Sequence, residues 1–83
     1  MPYIDWERRQ KLLTNLTNCH MRSPGELNYV ITKIIQHYMF ANEETYKQYN
    51  EIIGVLECVK MELYRRKIAP YEDEKIETNG DVW

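Results

Sequence analysis

Eighty-three residues with a net charge of −2, 43% hydrophobic and 29% charged side chains make a single small domain, and a chain of this size buries only about 60% of the surface its unfolded form exposes. Two cysteines, Cys19 and Cys58, without paired spacing exclude a disulfide framework and a zinc ribbon, and no stretch approaches the roughly eighteen apolar residues of a membrane span. The opening MPYIDWERRQ has no apolar run of signal-peptide type, so the expected setting is soluble and cytoplasmic, with no membrane partner.

From Asp5 to Ile68 the apolar residues keep helical spacing, with one short gap and no alternating run, which predicts an all-α fold. The first helix starts at Asp5 as N-cap and runs to Leu16 or Thr17, with Trp6, Leu12, Leu13 and Leu16 as its apolar members. It is the weakest of three, and residues 1–22 are expected to form this helix and a loop. In SPGE, Ser23 is an N-cap, Pro24 suits the first helical position, where no N–H is needed, and Glu26 is a capping-box acid. The second helix therefore begins at Pro24. Leu27, Val30, Ile31, Ile34, Ile35 and Tyr38 form its buried stripe, and it ends near Phe40. The short link ANEE then predicts an antiparallel hairpin of the second and third helices, the core of residues 23–69.

The third helix is expected from about Thr45 to Ile68, where Pro70 stops it. Tyr49, Ile52, Leu56, Val59 and Leu63 fall within an arc of about 80°, a seam of coiled-coil type that should meet helix two. Tyr46, Ile53, Val55 and Tyr64 widen the arc to about 180°, while Gly54, Cys58, Met61 and Ile68 form a patch on the far side. One neighbouring helix cannot cover all of this. Gly54 in mid-helix is unfavourable by about 1 kcal/mol relative to Ala, which predicts a close helix crossing there, and a homo-oligomer in which Gly54, Cys58, Met61, Ile68 and Trp83 lie at an interface.

Charge is divided unevenly, since residues 1–69 hold ten bases and eight acids and residues 70–83 hold one base and five acids. A net +2 body and a −4 end argue against nucleic acid as a partner. The bases of YRRK at 64–67 are accounted for by a helix C-terminus, which favours cations. Within 70–83, Tyr71, Ile76, Val82 and Trp83 are spaced as if to be buried, which predicts a short helical turn and a docked end, its acids facing bases such as Arg65, Arg66 and Lys67.

Glu74, Glu77 and Asp81 would share one face of an unbroken helix, the arrangement by which all-α magnesium-dependent pyrophosphohydrolases hold their ion. Asn79-Gly80 should break the helix before Asp81, and Glu57 and Glu62 are poorly phased to supply a second acidic pair, so a solvated acidic face explains the run more simply and no cofactor is expected. Cys19-His20 with Cys58 or His37 has no spacing that supports metal ligation or nucleophilic catalysis. The glycines at 25, 54 and 80 are isolated and make no phosphate loop. Tyr29, Tyr38, Tyr46, Tyr49, Tyr64 and Tyr71 offer rigid rings with a polar tip, which suit protein interfaces.

GELNYVIT at 25–32, YNEIIGVLECVKMELYRR at 49–66 and APYEDEKIETNGDVW at 69–83 resemble the blocks of a family of short phage- and prophage-associated proteins. The resemblance covers residues 23–83; residues 1–22 are less typical, and Trp83 stands where the family has Tyr. It implies a phage or metagenomic source and the host cytoplasm, and carries over no catalytic residue. The expected function is a non-enzymatic, oligomeric interaction protein that binds a host or phage macromolecule. The alternative is a nucleotide-handling protein, either a degenerate pyrophosphohydrolase or a nucleotide-sequestering binder, in which the carboxylates of the acidic end would surround an ion or line a pocket.

Overall fold

The computed structural model describes residues 4–14, 16 and 20–83, and every element among them is helical. The chain divides into two units, Met1–Gln36 and His37–Trp83.

The first unit holds α1 (Trp6–Thr14) and the larger part of α2 (Pro24–Ala41). Asp5 caps α1 as its position predicts, its Oδ1 accepting from Arg8 N at 2.9 Å. The helix stops earlier than the apolar spacing suggests. Thr14 turns its hydroxyl onto Gln10 O at 2.9 Å, and Leu16 N donates to Leu13 O, a tighter turn that closes the element. Thr17 and Cys19 lie outside the described residues.

Ser23 caps α2, with Glu26 N donating to Ser23 Oγ at 3.2 Å. The reciprocal bond of the capping box is displaced by one residue, because Glu26 Oε1 accepts from Arg22 N at 3.1 Å. At the other end, in the second unit, Asn42 Nδ2 donates to Tyr38 O at 2.8 Å and satisfies a carbonyl that the helix leaves open. The hairpin expected of the second and third helices falls across the boundary between the two units.

The second unit corrects the reading of Pro70. α3 (Tyr46–Leu63) begins at its Thr45 cap, where Thr45 Oγ1 accepts from Gln48 N at 3.2 Å. It does not end at Ile68. A π-helical turn, Tyr64–Ile68, leads directly into α4 (Ala69–Asn79), so helix continues from Tyr46 to Asn79, about 51 Å at roughly 1.5 Å per residue. In a regular helix the ring of Pro70 would clash with the carbonyl of Arg66 and leave it without a donor. The wide turn just before it, with Ala69 N–H bonded to Tyr64 O, opens the backbone at that level, and Pro70 becomes an early residue of the next helical stretch, where no N–H is needed. The short C-terminal turn expected from the sequence is thus an eleven-residue helix. Gly80, at φ 87°, ends it, with Gly80 N donating to Ile76 O at 2.9 Å, as Asn79-Gly80 foretells.

Among the described residues no apolar side chain is buried, and the one buried residue is Gln48, 4% exposed. Large apolar side chains stand in solvent along every helix.

Candidate functional site

An apolar arc runs the length of α3. Tyr49, Ile52, Leu56, Val59 and Leu63 succeed one another at intervals of three and four, a heptad pattern. Ile52 is half-buried, while the other four stay exposed, as do Tyr46, Ile53, Val55 and Tyr64 on the flanks. The wide turn extends this seam. In an unbroken helix Tyr71, eight residues after Leu63, would stand about 80° away from it; the extra residue of the π turn brings the two within about 20°.

The same shift explains a polar contact. The Glu72 carboxylate stands near the Tyr64 hydroxyl and, as an acceptor for its proton first and as a charge second, holds that phenol above its ordinary value of 10.0. Just before the turn, Glu62 receives two guanidinium groups: Arg65 Nη2 at 3.1 Å from Oε1 and Arg66 Nε at 3.3 Å from Oε2. The hydrogen bond from Arg65, then that from Arg66, lowers the Glu62 carboxyl below its ordinary 4.5. Two of the three bases expected to meet the acidic C-terminus are therefore engaged with a glutamate of their own helix. Lys75 lies over the Tyr71 ring at 5.4 Å, one turn along α4.

At the other end of the seam, Tyr49 donates its hydroxyl to Glu44 Oε1 at 2.8 Å, which raises the phenol above 10.0. Beside it Gln48 is covered, its Oε1 without a hydrogen-bond partner, at the base of an open recess lined by Tyr38, Asn42, Thr45 and Glu51.

The residues singled out from the sequence are placed as follows. Glu74 and Glu77 lie on α4, and Asp81 lies beyond Gly80, where its Oδ1 accepts from Trp83 N at 2.9 Å. Among the described residues no three His, Cys, Asp or Glu side chains gather where they could hold a metal ion. Gly54, Cys58 and Met61 lie on α3 opposite the seam, with Cys58 and Met61 exposed. Among the described residues a Cβ built at Gly54 meets nothing within 4 Å. Ile68 ends the wide turn, and Trp83 is fully exposed. Sequence reasoning missed the wide turn and the Tyr64–Glu72 contact. The available signal was a proline set between two stretches that are each helical by composition, YRRKIA and YEDEKIE.

No helix among the described residues is long and apolar enough to cross a membrane. No curated protein and no solved structure matches the chain. The model of a domain of unknown function, DUF6899, matches residues 1–82, and the chain belongs to that family.

Proposed function

We propose that this protein is a non-enzymatic, oligomeric interaction protein that works in a phage-host cytoplasm by binding a host or phage macromolecule. The observation that carries the reading is the exposed apolar arc of α3 in a chain with no buried apolar side chain among its described residues. A folded monomer keeps a contiguous apolar patch to a few hundred Å². A helical face of this length, rich in tyrosine and leucine and poor in charge, has the composition of an interface core. Burying it against protein supplies the stability that one chain of this size lacks, at about 25 cal/mol per Å² of apolar surface.

The test is affinity capture with the full chain from infected host lysate, with both proteins and small molecules identified, followed by titration of the purified candidate partner. The reading expects a saturable complex with a macromolecule, weakened at least tenfold by Leu56→Lys. Co-purification of a nucleotide alone, with turnover of it by the purified chain, would replace this reading with the nucleotide-handling alternative.

A further inference from the structure

We infer that the seam running from Tyr49 to Tyr71 is the face through which two copies of this chain pair, an inference that rests on the interaction reading above and names its first partner. Three observations select a second copy as the occupant. The first is length. The seam extends about 33 Å along the helix at roughly 1.5 Å per residue. α1 with nine residues and α2 with eighteen are about 14 and 27 Å long, shorter than the seam. A second Tyr46–Asn79 helix, about 51 Å long, spans it in full.

The second observation is width and area. The apolar arc covers about 180° of α3, wider than the stripe of about 100° that a surface helix turns toward a core, so one neighbour from the same chain would still leave apolar surface for a second copy. Ile52 is half-buried, and the exposed apolar residues of the arc run from 36% at Leu56 to 77% at Tyr46. Tyr46, Tyr49, Tyr64 and Tyr71 alone leave on the order of 450 Å² open, taking about 200 Å² per ring. With Ile53, Val55, Leu56, Val59 and Leu63 the face reaches the roughly 800 Å² per partner of a stable interface.

The third observation is charge. Within α3 the arc holds one ionised side chain, Lys60, and its Nζ is already 3.2 Å from Glu57 Oε1. Between Leu63 and Tyr71 the line also carries Lys67, four residues from each; a face with so few charges selects no oppositely charged partner, and two copies can meet along its apolar length. Its three-four spacing is the repeat by which like helices interlock. A symmetric dimer uses the same patch on both subunits, as such a self-complementary face allows. The wide turn has a defined part in this: by returning Tyr71 to the line of Leu63 it carries one seam past Pro70.

The test is photo-crosslinking of the full chain, with a benzophenone amino acid in place of Val59 on the seam or, separately, in place of Met61 on the opposite face. A covalent dimer of about twice 10.1 kDa is expected from the Val59 position at several times the yield from the Met61 position. Crosslinking does not depend on a disruptive variant that might unfold. Dimer from the Met61 position with none from Val59 would overturn the seam as the pairing face while leaving the interaction reading intact. No interchain product from either position, together with a cooperative melt of the monomer, would overturn both.

Discussion

The Glu72 carboxylate stands near enough to the Tyr64 hydroxyl to hold that phenol above 10.0, though it comes eight residues later in the chain, on the far side of a π-helical turn. Residues eight apart on a regular helix diverge by about 80°; only the extra residue in the turn aligns them. The pair thus reports on the backbone that joins α3 to α4. A group whose folded value is raised favours the folded state below its ordinary pKa and loses that contribution as pH rises through the raised value. For Tyr64 the window lies above 10.0. In Glu72→Gln the Tyr64 ring, followed by NMR, should titrate closer to 10.0 than in the parent; an unchanged titration would show that the contact is not made.

Pro70→Ala tests the cause of the turn. Without the ring, the backbone can close into regular helix, gaining helical signal while Tyr71 and Glu72 rotate away from Leu63 and Tyr64. Helicity at 222 nm should hold or rise, Tyr64 should titrate lower, and self-association should weaken. Retention of the raised Tyr64 titration in this variant would mean that the wide turn has another origin.

Glu62 gives the opposite pH dependence. Its carboxyl is lowered by the hydrogen bonds from Arg65 and Arg66, so its contribution is present above its ordinary 4.5 and lost as pH falls through the lowered value. These pairs are exposed and the effect is small. The expected result is an acid-induced loss of helical signal that is steeper in the parent than in Glu62→Gln, and weaker in both at high salt. Identical acid profiles would show that the two arginines do not act on Glu62 in solution.

Thr45→Ala removes the oxygen that accepts from Gln48 N at 3.2 Å. Loss of an N-cap of this kind lowers stability by about 1 kcal/mol, which denaturant unfolding of the full chain would read as a lower midpoint with an unchanged slope.

Gly54→Ala should move stability the other way. A methyl group there meets open space, so the substitution gains helix propensity of about 1 kcal/mol and raises the melting temperature. A lower melting temperature would place another backbone against Gly54, on the face opposite the seam.

Helix starts were legible because each depends on a few neighbouring residues: Asp5 and Ser23 cap the helices as their positions announce, and Thr45, expected as the start of the third helix, is its cap. The seam was legible for the same reason, since Tyr49 to Leu63 lie on one regular helix whose azimuths follow from spacing alone. Pro70 was misread because its local rule, that the residue before proline leaves the helical region, can be overridden when the preceding turn widens. Ala69 remains helical at φ −59° and ψ −46°. From that one error followed the wrong end of the third helix and the missed alignment of Tyr64 with Glu72. What covers the seam is not a local property, and neither spacing nor capping encodes it.

Sedimentation equilibrium of the full chain at micromolar concentration tests the central claim most directly. The account predicts a particle of at least twice 10.1 kDa that dissociates on dilution or on Leu56→Lys. A single species of 10.1 kDa that melts cooperatively across the whole concentration range would contradict it.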